Sequence, residues 1–317
     1  DDAKRLSELD PGEGYPFYII GDSLIELGDY DGARSAYSQM KAISSGYGGI
    51  PSVAMKQRLA RQAELHGDTD QATRLLTEAL SAALALPVPP RETVAWCRWR
   101  LGEIAFSIGD YETAEKHYRD SLTTFPDYFR ALAGLGKVQA ARGDMDGAIK
   151  SYEQAVAIIP DPTFLGPLGD LYKITGKEKQ AAAEYALVEQ IAHLSTLSGV
   201  LYNRQLALFY ADHELKPDDA YQNAAREYEQ RHDLYGADAV AWTALKSGRL
   251  PEAQQSIKEA LKLGTRDARI MYHAGMIARA AGDKASARKY LESSLKLNPQ
   301  FDPLQSPIAE ASLKELN

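Results

Sequence analysis

Asp212-His213-Glu214 is the densest run of side chains able to hold a metal or move a proton. Three adjacent residues at a helix end project in different directions, so the triplet alone offers no shared coordination centre. The six histidines, His66, His117, His193, His213, His232 and His273, include no i, i+4 pair of the kind that grips zinc from one helix face. Asp29-Tyr30-Asp31-Gly32 and Asp144-Met145-Asp146-Gly147 look like the opening of a calcium loop. Such a loop spreads its oxygen ligands over about twelve residues and ends in a glutamate, whereas both segments run straight into helical sequence, where an aspartate serves as an N-cap. Cys97, the single cysteine, lies near a helix start, where a thiol can acidify, but a partly buried, inert thiol is the expectation. No Gly-x-Ser-x-Gly elbow, phosphate-cradling glycine loop or dinucleotide fingerprint occurs. The residues therefore predict a protein that is not an enzyme, with no metal site and no cofactor.

The remaining expectation is a binding protein, and bulk properties narrow its partners. The 317 residues are 44% hydrophobic and 25% charged, enough for two ordinary domains or one long solenoid. Net charge is −8 and the isoelectric point is near 5.4. Nucleic-acid binders draw most of their affinity from phosphate contacts and carry a basic excess, so this balance points away from them. No apolar run approaches the ~20 residues of a membrane span, and one cysteine allows no intrachain disulfide. The chain starts at Asp1 with no methionine and no signal peptide. A segment removed upstream, by processing or truncation, is expected; cytoplasmic and exported locations both stay open, as does oligomeric state.

The elements that must carry a binding surface show up as a repeat. Turn glycines recur at Gly28, Gly67, Gly109, Gly143, Gly176, Gly248 and Gly282. The long interval after Gly176 holds one turn without glycine, near Glu214–Lys216 and just before Pro217, which makes eight units. Small residues return in phase: Gly21, Gly102, Gly136, Gly169 and Gly275 before the turn, and Ala33, Ala72, Ala114, Ala148, Ala181, Ala253 and Ala287 after it. Tyr37, Tyr118, Tyr152 and Tyr185 follow, and Pro126, Pro160 and Pro299 close three units. Closely packed antiparallel helices need small contact residues, and prolines end the second helix. This phase resembles the tetratricopeptide repeat family, from about Tyr15 to Pro299.

The resemblance implies an all-α, right-handed superhelical solenoid of about eight helix pairs, closed by a C-terminal capping helix that starts at Ser306-Pro307. Residues 1–86 hold the first two pairs and 91–317 the other six and the cap, with a stiff proline joint at 87–90.

The resemblance also implies a scaffold whose first helices line a concave groove for a partner peptide, loop or helix. The repeat register projects Tyr15, Tyr18, Arg58, Arg61, Trp96, Trp99, Arg100, Phe106, Arg130, Lys137, Lys173, Tyr202, Phe209, Trp242, Tyr272 and Arg279 onto that face. All three tryptophans fall there, and Trp, Tyr and Arg dominate binding hot spots. The bases of the second to fifth units suggest an anionic partner segment. The alternative is that they pair with Glu64, Glu103 and Asp170 on adjacent helices and neutralise the groove. A cell-envelope assembly factor carrying a ligand or metal ion, or an accessory domain of a larger protein, are the other readings. The lysine–asparagine pattern that clamps chaperone C-termini is absent: Tyr18 and Asp22, then Trp99 and Glu103, stand in its place.

Overall fold

The computed structural model describes residues 1–44, 50–197 and 204–316, which form eighteen α-helices and no strand. After α1 (Asp2–Leu9) come the pairs α2 (Tyr15–Glu26) with α3 (Tyr30–Ser44), α4 (Ile50–Leu65) with α5 (Thr69–Leu84), and α6 (Arg91–Ser107) with α7 (Tyr111–Thr124). They continue as α8 (Phe129–Ala141) with α9 (Met145–Ile158), α10 (Pro162–Ile174) with α11 (Glu178–Leu197), and α12 (Arg204–Asp212) with α13 (Pro217–Tyr228). The last pairs are α14 (Leu234–Lys246) with α15 (Leu250–Leu261) and α16 (Ala268–Ala280) with α17 (Lys284–Leu297), followed by α18 (Gln305–Glu315). These are the eight expected pairs and a terminal helix.

The local causes are those the repeat implies. Asp29, Asp68, Asp110, Asp144 and Asp283 each accept a backbone N–H three residues on, at 2.8–3.1 Å, so the calcium-like segments are helix caps. Gly21, Gly102, Gly136 and Gly169 lie flat against the rings of Tyr37, Tyr118, Tyr152 and Tyr185, where any side chain would collide with the ring. The turn without glycine has Glu214 and Lys216 at φ 56° and 42°. The final helix departs from expectation at its start. The helix begins at Gln305 with Leu304, not Ser306, at the N-cap position, and Asp302 in the turn before it accepts from Leu304 and Gln305 N–H at 2.9 and 3.0 Å. At the proline joint, Val53, Ala79 and Ala83 pack with Val94 and Cys97 across residues 85–90.

The array also closes on itself. Turns of the first three units dock on the connectors six units further along. Leu234 N–H donates to the Tyr30 phenol at 2.8 Å, and Arg231 pairs with Glu26. The Thr265 hydroxyl donates to the Leu65 carbonyl. The Tyr111 hydroxyl donates to Asn298 Oδ1 at 2.6 Å, while Asn298 Nδ2 donates to the Phe106 carbonyl at 2.7 Å. Ile25, Tyr30, Tyr37 and Leu65 share one apolar core with Leu234, Ala237, Ile257 and Ile270. Burial at this seam pushes the Tyr30 phenol up to about 12. A solenoid held only by nearest neighbours can fray from either end; here both ends belong to one contact.

Candidate partner-binding face

Closure gives the concave face a second wall, so that its groove becomes a half-open pocket. The inner faces of α6, α8, α10 and α12 form one side. Residues 267–269 and the α17–α18 connector, 298–303, form the other, with a half-open cavity of about 420 Å³ between them. Phe106, Lys137, Asp170 and Phe209 line it, as do His213, Arg269 and Phe301.

Along the inner face runs a ladder of polar clusters. Asp22 accepts from the Tyr37 hydroxyl at 2.7 Å and pairs with Arg58 at 2.7 Å. Glu103 accepts from Tyr118 at 2.7 Å and pairs with Lys137 at 2.7 Å. Asp170 accepts from Tyr185 at 2.7 Å and meets His213 Nε2 at 2.7 Å. Arg100 pairs with Glu64. The Asp22, Glu103 and Asp170 clusters each join both helices of a unit to the next unit, and Arg100–Glu64 links the first helices of the second and third units. Burial alone would raise Glu103, yet Lys137, Tyr118 and Arg100 hold it below the usual carboxylate range. Arg58, Arg100 and Lys137 therefore spend their charge inside the ladder.

Asp212, His213 and Glu214 diverge as adjacent residues must. Asp212 accepts the Trp242 indole N–H at 2.8 Å, His213 turns to Asp170, and Glu214 pairs with Lys246 at 3.0 Å. Cys97 is fully buried, and burial pushes its thiol up. Both ring nitrogens of His213 face acceptors, Asp170 and, at 2.6 Å, the Phe209 carbonyl. Burial works against the imidazolium, but these bonds and the Asp170 charge raise its pKa above 6.5. The surrounding groups are Asp170 on α10, Tyr185 on α11 and Asp212 on α12. A raised histidine contributes stability that is fully present below its unfolded pKa and is lost as pH rises through the folded one. Thermal midpoints are thus expected to fall as pH is raised above about 6.5. His213→Gln should flatten that decline; an unchanged slope in the variant would assign it elsewhere.

Fifteen of the sixteen residues projected onto the groove separate into three groups. Tyr18, Trp242 and Tyr272 are interior instead, while Phe106 and Phe209 are buried but reach the cavity wall; Trp242 and Tyr272 are 0% and 1% exposed, leaving them no surface to offer a partner. Arg58, Arg100 and Lys137 stand in the ladder, Arg61 lies over the Tyr235 ring at 5.2 Å, and Arg279 pairs with Glu315. Tyr15, Trp96, Trp99, Arg130 and Lys173 keep accessible surface. Tyr202 lies outside the described residues.

Among the accessible ones, Trp96, Trp99 and Arg130 belong to a single strip. Trp96, Trp99, Tyr128, Phe129 and Phe164 form a run of ring contacts with centroids 5.9–6.5 Å apart. The exposed Arg130 guanidinium covers both Trp99 and Phe129, 5.2 Å from each centroid. The register had singled out the tryptophans and Arg130 but missed Tyr128, Phe129 and Phe164. Tyr128 and Phe129 sit at the start of α8 and Phe164 in the first turn of α10, and the cluster Phe125, Tyr128 and Phe129 at the start of α8 was the available signal.

Three sequence models of the tetratricopeptide repeat match this chain, one at 17–42, one at 52–127 and one at both 99–162 and 240–300. Together they cover more than half of it. The chain belongs to the tetratricopeptide repeat family. As such it is a protein-binding scaffold built of helix pairs. This tetratricopeptide chain is 25% identical to BBSome complex member BBS4 of Bos taurus over 256 residues, covering 78% of this chain and 47% of that one. It thus spans about half of that relative's length. Photosystem I assembly protein Ycf3 of Prochlorococcus marinus (strain MIT 9301) is 26% identical over 115 residues, 35% of this chain and 65% of that one. Among solved structures, the Cut9–Hcn1 hetero-tetramer of APC/C is similar over 99% of this chain and 58% of its own, with 15% identity and a TM-score of 0.50. BtubC from P. vanneervenii covers 62% of this chain and 87% of its own, with 22% identity and a TM-score of 0.51. These two likenesses concern the fold alone. Among the described residues no helix is long and apolar enough to cross a membrane.

Proposed function

We propose that the chain works within a multiprotein assembly by holding an acidic, extended segment of a partner along the aromatic strip of the third to fifth units. The observation that carries this reading is Arg130. It is exposed, lies over Trp99 and Phe129, and makes no ion pair with any described carboxylate, whereas Arg58, Arg100 and Lys137 each have one. A guanidinium preorganised on aromatic faces is ready for bidentate carboxylate recognition, and the rings beside it supply apolar anchoring. Relatives named as a complex member and as an assembly protein support the broader role.

The test is fluorescence anisotropy with a library of labelled acidic, neutral and basic peptides containing aromatic residues. Acidic peptides are expected to bind best, and more weakly as salt rises. Arg130→Ala should weaken them about tenfold and flatten the salt dependence, and Trp99→Ala should cost about 2 kcal/mol. Both variants should keep their helix content by circular dichroism. Equal binding of all three peptide classes, or of parent and Arg130→Ala at low salt, would refute the reading.

A further inference from the structure

We infer that the aromatic strip has a second acid-binding prong, Arg91, so that the bound segment carries two carboxylates with uncharged, apolar residues between them. This rests on the reading of the strip given above and names its partner more closely. Arg91 opens α6 and is exposed. Its Nε donates to the Thr124 carbonyl at 3.1 Å, and its guanidinium lies 6.0 Å from the Phe125 ring centroid. It makes no ion pair with any described carboxylate. The neighbouring arginines of the third and fourth units are spent. Arg98 is half-buried and donates to the Asp120 carbonyl and the Thr124 hydroxyl. Arg100 pairs with Glu64, and Arg119 and Arg142 both pair with Glu115. Among the described arginines of these two units, Arg91 and Arg130 keep an unengaged guanidinium edge.

The two prongs belong to one surface. Phe125 meets Tyr128, and Tyr128 meets Phe129, with centroids 5.9 Å apart in each case. Arg91 lies over the first ring of that run and Arg130 over the last. Four contacts of 5.2–6.0 Å thus lead from one guanidinium to the other. An extended segment of about seven residues or fewer reaches both. Phe125 and Phe129 keep accessible surface, where apolar side chains between the two acids can rest.

A purely structural role for Arg91 is the competing account. The last carbonyls of a helix lack intrahelical donors, and a basic side chain beside them offsets the negative end of the dipole. For α7, Nε alone performs that service. The outer edge, Nη1 and Nη2, is left over, and its fork matches a carboxylate. Glu92 explains why the segment must be uncharged in the middle. Adjacent residues on a helix do not face each other, so Glu92 does not neutralise Arg91. Burial pushes the Tyr128 phenol up to about 12, with Arg130 opposing the shift and Glu92 adding to it. Glu92 therefore stands within electrostatic reach of the middle ring, and a third acid placed there would be repelled.

Fluorescence anisotropy on the full chain tests this with labelled peptides that share one apolar core, Phe-Ala-Ala-Phe. They carry aspartate at both ends, at either end alone, at neither end, or at both ends and in the centre. The doubly acidic peptide is expected to bind about tenfold more tightly than either singly acidic one, and a central acid should cancel most of that gain. Arg91→Ala should bring the doubly acidic peptide down to the singly acidic level. It should leave unchanged the better singly acidic peptide, which Arg130 holds. Arg130→Ala should leave a residual preference for acid that the double variant loses. Thermal midpoints are read on each variant. A lowered midpoint for Arg91→Ala with equal weakening of every peptide would assign Arg91 to bracing α7 and overturn the inference. Equal binding of singly and doubly acidic peptides by the parent, with Arg130→Ala still weakening both, overturns this inference alone. If no acidic peptide outbinds the neutral one, the reading of the strip falls and this inference falls with it.

Discussion

Gly67→Ala is expected to lower the urea midpoint far more than Gly143→Ala, although the two glycines share one backbone conformation and one place in the repeat. Their φ angles are +73° and +81°. Alanine in that left-handed region costs roughly 1–2 kcal/mol, and this is the whole cost at Gly143, where a Cβ meets nothing. At Gly67 the same Cβ would overlap the backbone carbonyl of Gly264, which cannot rotate away as a side chain could. Overpacking adds about 1–3 kcal/mol, and losing the neighbouring Thr265–Leu65 hydrogen bond adds about 1 kcal/mol. The expected totals are about 3–6 kcal/mol at Gly67 against about 1–2 at Gly143. Small-angle scattering should also show a larger radius of gyration for Gly67→Ala alone, because the seam between the second and eighth units opens. Equal losses of stability in the two variants, with unchanged scattering, would mean that the closure contributes nothing.

That contrast marks the boundary of what the sequence carried. Each pair was legible because its determinants are local and repeated: an aspartate cap, a glycine turn, and a glycine against a tyrosine on the partner helix. The closure was not, because a residue six units away leaves no periodic trace. A partial signal existed. Tyr30 and Tyr111 give Gly-Asp-Tyr turns in the first and third units only, and both hydroxyls lie on the seam. Among the positive-φ turn glycines, Gly28, Gly67 and Gly109 face the distant connectors, while Gly143, Gly176, Gly248 and Gly282 face nothing.

The binding face was legible only in part for a related reason. Tyr18, Trp99 and Tyr272 each stand ten residues before a turn glycine, so the register treats them alike. Tyr18 is covered by Arg58 at 4.5 Å, Trp99 keeps accessible surface, and Tyr272 is buried with its hydroxyl on Gln305 at 2.7 Å. A repeat register fixes the direction of a side chain relative to its own pair. What lies in that direction depends on neighbouring units and on closure. The basic strip divides on the same ground: whether a base is available depends on the acid one unit away, and Asp22, Glu64 and Glu103 are within reach of Arg58, Arg100 and Lys137 but not of Arg130.

Trp242→Ala and Trp99→Ala should therefore have opposite signatures, although both tryptophans were projected onto one face. Trp242 has no exposed surface, stacks on His273 with centroids 4.3 Å apart and planes 13° from parallel, and touches Tyr272 at 5.4 Å. Truncating a buried aromatic costs about 3–5 kcal/mol. Asp212 would also lose its indole donor, adding about 1–3 kcal/mol for a buried carboxylate left without it. Trp242→Phe keeps a ring against His273 and removes only the donor, so it should lie well between parent and Trp242→Ala in denaturant midpoint. Trp99, half-exposed at the strip, should lose less than about 1.5 kcal/mol of stability on truncation while losing about 2 kcal/mol of peptide affinity. Measuring unfolding and peptide anisotropy on the same three variants decides the matter. If Trp242→Ala unfolds at the parent's midpoint yet loses binding, its indole faces a partner and the closed arrangement around α14 and α16 is not the one in solution.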